Sequence, residues 1–261
     1  VKNKNKLLAK KVLLATGGHP SGRRMAKKLG HKIIPPIPSL FSFSLNGDEL
    51  SNCQGVSVEN VEVSFECGGS FFRQKGILLI THWGISGPAV LRLSSYAARD
   101  LNSINYKCKV HINWIGTNRE FVKIKFQEFR IKYARRSVVN VCPFASIPKR
   151  LWKVIISIAG VDGKINYSNL SKVDEVKLSD KLLNTIFQMK TRGPFGEEFV
   201  TAGGVDLKEV NLKTMESKLF PGLYFAGEIL DVDGVTGGFN FQHCWTSGWI
   251  SGMSISKPNY S

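Results

Sequence analysis

The sequence lacks long hydrophobic runs and has few cysteines. Although 43% of its 261 residues are hydrophobic, no apolar stretch approaches the ~20 residues that a membrane-spanning helix requires. The five cysteines are scattered, odd in number and never spaced as Cys-x-x-Cys. We therefore expect no disulfide framework, no zinc or other metal site and no dithiol redox centre. A reducing compartment, cytoplasmic or organellar (plastid or mitochondrial), is the default for such a chain.

Acidic residues are scarce compared with basic ones. The chain has 36 Lys and Arg against 20 Asp and Glu, a formal net charge of +16, which would attract nucleic acid or an anionic membrane. No recognisable RNA- or DNA-binding motif accompanies this charge. The basic segment 121–136 predicts an amphipathic helix, with an apolar face of Val122, Phe126, Phe129 and Tyr133. We interpret its basic side as a solvated surface, and expect no specific nucleic-acid partner and no transmembrane segment.

The secondary structure that the hydrophobic pattern predicts changes along the chain in the order β/α, β, α, β/α. Residues 40–82 alternate apolar and polar side chains as strands do. Residues 118–190 carry mainly helical patterns. One predicted helix has Ser179 as its N-cap and is marked by Leu182, Leu183, Ile186 and Phe187. The run Pro35-Pro36-x-Pro38 predicts a break in regular structure.

Residues 223–248 are the most informative segment. The short apolar run 223–226 predicts a buried strand, and Gly227 allows the chain to turn at its end. An acidic loop follows, then Gly237-Gly238 and a predicted helix. A helix N-terminus behind two glycines presents unpaired N–H groups and a partial positive charge, which suits the pyrimidine side of a reduced flavin. A tight turn into a core helix is the alternative, but the complete strand–loop–diglycine–helix unit favours the flavin interpretation.

This segment resembles the C-terminal flavin motif of the BaiN/YhiN-type FAD-dependent, NAD(P)-linked oxidoreductases, in particular their plant and algal branch. The shared residues are Gly227-Glu228, Leu230-Asp231-Val232-Asp233-Gly234 and Thr236-Gly237-Gly238-Phe239-Asn240-Phe241-Gln242. Three other stretches agree in the same order: Ala15-Thr16-Gly17-Gly18, Thr81-His82-Trp83-Gly84-Ile85-Ser86-Gly87-Pro88 and Thr201-Ala202-Gly203-Gly204-Val205. The resemblance covers nearly the whole chain. It implies FAD as the cofactor and leaves the substrate undefined.

One part of the family pattern is missing. Family members begin with a strand, a Gly-x-Gly-x-x-Gly turn and a helix that together hold the FAD pyrophosphate, and no such turn occurs here. We therefore expect the C-terminal portion of a longer or split protein, inactive by itself. The predicted fold is α/β (α+β overall): a truncated, discontinuous Rossmann-like FAD-binding domain at 1–37 and 203–261, a β-rich inserted domain at 38–116 and 191–202, and a nested helical domain at 117–190.

The resemblance also implies which residues bind the cofactor. A carboxylate in the acidic loop suits sugar-like hydroxyl groups, because it accepts several charge-assisted hydrogen bonds; for Asp231 and Asp233 a solvated turn is the alternative. Backbone N–H groups at the helix start are expected to face the flavin ring. The predicted cofactor residues are Gly17, Gly18, Gly227, Glu228, Asp231, Asp233, Gly237, Gly238, Phe239 and Asn240.

Catalytic residues are harder to identify from the sequence. His82 is the candidate acid–base residue, since it lies in a matching stretch and histidine titrates near neutral pH; a structural histidine at a strand end is the alternative. NAD(P)H is the candidate electron donor, and the oligomeric state is open. Two function classes remain: part of a FAD-dependent oxidoreductase acting on an undefined small molecule, and a non-catalytic remnant or basic protein that binds nucleic acid or another anion.

Overall fold

A computed structural model describes residues 8–193 and 200–257. The chain divides into two compact units, Val1–Ser39 with Glu198–Ser261, and Leu40–Glu197. The mixed α/β character predicted from the sequence is confirmed, whereas the division into three domains stays a prediction. Among the described helices, none is both long and apolar enough to cross a membrane.

The described strands and helices are as follows. The strands are β1 (Val12–Leu14), β2 (Ile33–Ser39), β3 (Phe43–Leu45), β4 (Ser57–Cys67), β5 (Ser70–Ile80), β6 (Gly84–Ser86), β7 (Lys109–Asn113), β8 (Thr185–Arg192), β9 (Val200–Val205), β10 (Val210–Asn211), β11 (Glu216–Ser217) and β12 (Leu223–Phe225). The helices are α1 (Pro20–Lys28), α2 (Pro88–Tyr96), α3 (Ala98–Ser103), α4 (Arg119–Lys132), α5 (Lys149–Ala159), α6 (Lys172–Leu183) and α7 (Phe239–Ser256).

The main sheet of the first unit has the strand order β1-β12-β11-β10. β1 and β12 are parallel, and the remaining pairs are antiparallel. The helix α7 buries Ser247 and Ser251, small residues that let a helix backbone approach its neighbours closely. The sheet core includes Leu14 and Phe225, which are almost completely buried. The predicted strand near 223 and the helix that follows the diglycine are therefore both present.

The sequence predicts a break in regular structure at Pro35, Pro36 and Pro38, but all three prolines lie within β2. β2 pairs with β9 in an antiparallel two-stranded sheet, and its register shifts between Ile34 and Ile37. Proline has no N–H to donate, so prolines are tolerated in a strand at a bulge or along an unpaired edge. The irregularity falls where Pro35 and Pro36 stand. β9 also crosses the predicted domain boundary at residue 203.

In the second unit, six strands form one closed sheet in the order β3-β6-β5-β4-β7-β8. Every described neighbouring pair in it is antiparallel. The closed sheet and helices α4 to α6 share one continuous hydrophobic core, which includes Phe65, Trp114 and Trp152. Trp114 Nε1 donates a hydrogen bond to Thr185 Oγ1 at 2.8 Å, which satisfies the buried indole N–H at the junction of β7 and β8.

The helix predicted around 182–187 is correct for Leu182 and Leu183, which end α6, and wrong for its N-cap and for residues 186–187. The helix α6 begins earlier, where Ser171 Oγ accepts the backbone N–H of Asp174 at 3.0 Å as the N-cap. Ser179 lies inside α6 and donates to the carbonyl of Glu175. Ile186 and Phe187 belong to β8, in which buried and exposed residues alternate from Thr185 to Met189. That alternation has the two-residue period of a strand, which the apolar pairs at 182–183 and 186–187 concealed.

Candidate functional site

The strand β12 ends at a glycine turn that is fastened to the helix α7. Gly227 has a φ of 75°, a conformation that only glycine adopts at little cost. Its backbone N–H donates to Ser247 Oγ at 2.9 Å. A Cβ atom at residue 227 would lie 3.4 Å from Cys244 Sγ. The small side chains on this face of α7 therefore hold the turn beside the helix.

Glu228 follows this turn and joins it to β9. Its Oε1 atom accepts the backbone N–H of Thr201 at 3.0 Å. Its Oε2 atom lies near the Gly17-Gly18 turn, since a Cβ atom at Gly18 would be 3.4 Å from it. Within the part of the chain that the structure describes, Oε2 has no hydrogen-bond partner. Three predicted cofactor residues, Gly17, Gly18 and Glu228, thus lie together around a carboxylate oxygen that can still accept a hydrogen bond.

The acidic loop after Glu228 is held against β2 and β9. Ser39 Oγ donates to Asp233 Oδ2 at 2.8 Å, and the backbone N–H of Asp231 donates to the carbonyl of Val205 at 3.0 Å. Both aspartates are partly buried. The loop therefore has a fixed course past the end of β2 rather than that of a fully solvated turn.

Asn240 closes the loop that contains the two glycines. Its Oδ1 atom accepts the N–H of Gly234 at 2.8 Å, and its Nδ2 atom donates to the carbonyl of Gly234 at 2.9 Å. Both ends of the Asn240 amide are therefore engaged in holding the loop. That the backbone N–H of Asn240 faces a flavin ring stays a prediction.

The helix α7 begins directly behind the diglycine. Gly237 and Gly238 have φ angles of 121° and 87°, and no side chain caps the helix. A Cβ atom at Gly238 would meet no described atom within 4 Å. The first turn of α7, which starts at Phe239, contains no acidic residue. The positive end of the helix dipole therefore has neither a side-chain cap nor a carboxylate in its own first turn, and the space beside Gly238 is open.

Two buried nitrogen atoms of the first unit have no hydrogen-bond partner among the described residues. They are Arg23 Nη1, on α1, and His243 Nε2, on α7. An unsatisfied buried polar atom costs about 1–3 kcal/mol, so native proteins rarely leave one without a ligand, water or protein partner. These atoms are candidate contacts for a bound group, and the sequence alone gave no signal for their burial.

The sequence also gave no signal for a hydrogen-bonded group of three side chains in the first unit. His31 Nδ1 lies 3.1 Å from Glu209 Oε2, and His31 Nε2 lies 2.9 Å from Ser217 Oγ. Ser217 Oγ also accepts the backbone N–H groups of Leu219 and Phe220. Because the histidine and the serine are both buried, this network joins β11 to the chain before β2 and has no access to a substrate.

His82 lies in the second unit, whereas every predicted cofactor residue lies in the first. It borders a cavity of about 280 Å³ that is also lined by Asp48, Glu49, Trp83 and Lys190. The His82 and Trp83 rings meet edge to face, with their centroids 4.1 Å apart. Among the described residues, no group of three or more His, Cys, Asp or Glu could hold a metal ion.

The sequence matches that of known proteins along nearly its whole length. It fits the family described as HI0933-like protein Rossmann domain over residues 1–254. It is 34% identical over 274 residues to the ribosomal RNA dihydrouridine synthase of Haemophilus influenzae and 32% identical over 257 residues to that of Escherichia coli, alignments that cover 98% and 94% of this chain. It is 25% identical over 265 residues, 95% of this chain, to the 3-dehydro-bile acid delta(4,6)-reductase of Clostridium scindens.

These alignments cover 62%, 60% and 63% of the three relatives, so the chain spans somewhat less than two thirds of their length. The match extends through both units of the structure. The resemblance drawn from the four motifs is confirmed: the chain belongs to the HI0933-like family of Rossmann-domain proteins related to FAD-dependent oxidoreductases.

Proposed function

We propose that this chain is part of an FAD-dependent oxidoreductase that reduces a carbon–carbon double bond. The observation that carries the proposal is the position of Glu228 Oε2 beside the Gly17-Gly18 turn. The uncapped start of α7 behind Gly237-Gly238 supports it, because both features belong to the same unit and to the motifs that match the family.

The residues present suit the flavin end of FAD. Glu228 Oε2 is available to accept a hydrogen bond from a ribityl or ribose hydroxyl, and the absence of side chains at Gly17 and Gly18 gives that hydroxyl room. The start of α7, from Phe239, offers N–H groups and a dipole that favour negative charge by about 0.3–2 kcal/mol. The bound FAD would supply the acceptance and donation of hydride.

The other residues of the site position these groups or move protons. Asn240 holds the diglycine loop in place through Gly234, and Asp233 holds the acidic loop through Ser39. His82 remains the candidate proton donor or acceptor, because histidine is the side chain that most often transfers protons in catalysis. Reduction of a double bond needs an electron donor, and NAD(P)H is the proposed one.

The proposed type of reaction follows from what two relatives are named for. Dihydrouridine differs from uridine by two hydrogens added across one ring double bond, and a delta(4,6)-reductase acts on the double bonds of a steroid. The shared chemistry is the addition of hydrogen to a carbon–carbon double bond. We propose the same chemistry for the protein to which this chain belongs.

A second candidate function is RNA binding, either as part of this reaction or without catalysis. Residues 119–183 contain 14 Lys and Arg against six Asp and Glu, and the whole chain carries a formal charge of +16. Such a surface suits the phosphates of RNA. The contacts would be with the RNA backbone, since no base-reading motif is present.

The test uses the complete protein encoded with this chain. We expect it to purify yellow, to release FAD on denaturation and to become bleached anaerobically by NADH or NADPH. The bleached protein is then mixed with a ribosomal RNA transcript or with an unsaturated steroid ketone, and reoxidation is followed by absorbance. A colourless protein that takes up no added FAD would contradict the proposal.

A further inference from the structure

We propose that the cavity beside His82 binds one ribonucleoside phosphate. The inference deepens the proposed function, and rests on it for the place of that nucleotide in the reaction: either as the nucleotide to be reduced, within RNA, or as part of the nicotinamide dinucleotide that donates electrons. The binding itself rests on the geometry and charges of the second unit.

The cavity has walls that are built into the closed sheet. It lies between the chain that follows β3, the turn between β5 and β6, and β8. A Cβ atom at Gly84 would lie 2.3 Å from the carbonyl oxygen of Phe43, so this glycine lets the turn that carries His82 and Trp83 press against β3. The backbone N–H of Leu45 donates to the carbonyl of Trp83 at 3.0 Å. The turn that carries His82 and Trp83 is therefore held against β3 before any ligand binds.

Three charged side chains on the cavity wall have no ionic or hydrogen-bond partner within the described ranges 8–193 and 200–257. They are Asp48, Glu49 and Lys190. A carboxylate pair and an ammonium that line one cavity without pairing suit a ligand that carries hydroxyl donors and a negative charge together. With His82, the two acids do not form a group that could hold a metal ion, which disfavours a bound divalent cation.

Each part of a ribonucleoside phosphate has a matching group in the cavity. The vicinal hydroxyls of a ribose are hydrogen-bond donors that an acidic side chain recognises well, and Asp48 and Glu49 provide such acceptors. Lys190 provides a cation for the phosphate. Trp83 and His82 provide ring surface for the base, since every nucleobase has a face that stacks on aromatic side chains.

The size and polarity of the cavity argue against a steroid at this position. At about 280 Å³, it lies near the lower end of the volumes typical of ligand pockets. Most of the side chains that line it are polar or charged, whereas a steroid nucleus needs mainly apolar walls. A single nucleoside phosphate satisfies both the size and the polarity.

The test measures nucleotide binding to the complete protein, as it purifies, by isothermal titration calorimetry. Uridine monophosphate, deoxyuridine monophosphate, uridine and nicotinamide mononucleotide are titrated separately. We expect saturable binding of at least one ribonucleoside monophosphate, and weaker binding of its deoxy or unphosphorylated counterpart. Preference for uridine monophosphate would identify RNA as the source of the nucleotide, and preference for nicotinamide mononucleotide would identify the electron donor.

Matched variants separate the roles of the charged groups. Lys190→Gln should weaken binding of the monophosphate about tenfold, the effect of one charge-assisted contact, and leave binding of the nucleoside unchanged. Glu49→Gln or Asp48→Asn should remove the preference for ribose over deoxyribose. Lys164→Gln and Glu59→Gln change exposed residues of the same unit that do not line the cavity, and should leave every affinity unchanged.

The proposal is overturned if no ribonucleoside monophosphate saturates the protein, or if Lys190→Gln and Lys164→Gln weaken binding equally. These results are independent of the proposed function. If the protein is yellow and is reduced by NADPH but binds no mononucleotide, the flavin assignment stands and the nucleotide site is disproved. A colourless protein that binds mononucleotides in the expected pattern does the reverse.

Discussion

Glu228 Oε1 accepts a hydrogen bond from the backbone N–H of Thr201 at 3.0 Å. This bond joins the turn after β12 to β9 and uses one of the two carboxylate oxygens. The other oxygen would lie 3.9 Å and 3.4 Å from Cβ atoms at Gly17 and Gly18. One side chain therefore stabilises the fold through Oε1 and, in the proposed function, binds the cofactor through Oε2.

Two substitutions at Glu228 should separate these two roles. Glu228→Gln keeps a carbonyl oxygen for the N–H of Thr201 but removes the negative charge, so we expect a nearly unchanged melting temperature and about tenfold weaker FAD binding. Glu228→Ala also leaves the Thr201 N–H without its partner, and should cost about 1–3 kcal/mol in the free energy of unfolding. Chemical denaturation measures the stability, and flavin fluorescence measures FAD binding.

Glu59→Gln is the control for this pair, because Glu59 is exposed on β4 and should affect neither measurement. Equal destabilisation by Glu228→Gln and Glu228→Ala would show that the neutral carbonyl oxygen of glutamine does not replace the carboxylate oxygen in the bond to Thr201. Unchanged FAD binding in Glu228→Ala would place the cofactor elsewhere.

Gly238 provides a test of the diglycine. Gly238→Val should lower flavin occupancy, but its φ of 87° adds a backbone penalty of about 1–2 kcal/mol for a residue with a Cβ atom. Gly238→Asn is the informative comparison, since asparagine tolerates a left-handed conformation and still fills the open space next to α7. We expect Gly238→Asn to fold almost normally and to lose flavin. If it retains normal flavin occupancy, the flavin does not approach this position.

The strand β12, the diglycine and the helix α7 could be predicted from the sequence, because their signals are local. An apolar run, glycines and a following helical pattern all lie within the 26 consecutive residues 223–248. The same reasoning failed at 182–187, where apolar pairs fit a helix and a strand equally well. Only the pairing of β8 with β7 and β3 decided that Ile186 and Phe187 belong to a strand.

The side-chain pairs of the site could not be predicted, since they depend on residues that are distant in sequence. Glu228 meets Thr201, and Ser39 meets Asp233, only after β2, β9 and the acidic loop have come together. Asn240 is close to Gly234 in sequence, but its two hydrogen bonds to the backbone of Gly234 depend on the conformation of the loop. Tertiary contacts of this kind leave no periodic signal in the sequence.

Gly22 and Thr16 form a close contact that should be measurable in stability. A Cβ atom at Gly22 would lie 1.7 Å from Thr16 Oγ1 and 2.8 Å from Thr16 Cβ. Gly22→Ala should therefore destabilise the protein by about 1–3 kcal/mol. Adding Thr16→Ala should restore part of that loss, as a positive coupling in a double-mutant cycle.

Gly248→Ala is the matched control for Gly22→Ala. Gly248 lies within α7, and a Cβ atom there would meet no described atom within 4 Å. Alanine is favoured over glycine in a helix by up to about 1 kcal/mol, so this variant should be neutral or stabilised. Additive effects of Gly22→Ala and Thr16→Ala would contradict the predicted contact between α1 and the end of β1.

The buried thiol of Cys108 should react only at high pH in the folded protein. Burial, with a smaller contribution from Cys67, raises the pKa of Cys108 to about 12. Because the thiolate is the reactive form, alkylation at pH 8 should be slow in the native protein and should accelerate as the pH approaches 12. Mass spectrometry of iodoacetamide-treated native and denatured samples measures the extent of Cys108 alkylation. Rapid labelling of the native protein at pH 8 would show that Cys108 is not buried.

Lys123 and Arg130 should respond differently in a test of RNA binding, although both lie on α4. Arg130 donates to Glu175 Oε2 at 2.8 Å and to the carbonyl of Leu170 at 2.7 Å, so much of its charge and hydrogen-bonding capacity serves the contact between α4 and α6. Lys123 is exposed, and together with Arg130 it lines a groove between α4 and α6. The structure therefore provides one basic residue committed to the fold and one available to a phosphate.

We expect the complete protein to bind RNA weakly, without sequence preference and with an affinity that falls steeply as salt is added, because bound phosphates release counterions. Lys123→Gln should lower the slope of log affinity against log salt by about one and leave stability unchanged. Arg130→Gln should lower the stability and leave the slope unchanged. Filter binding over a salt series, with thermal melting of both variants, measures the two effects. Tight, sequence-selective binding at physiological salt would contradict the prediction and favour a dedicated RNA-recognition function.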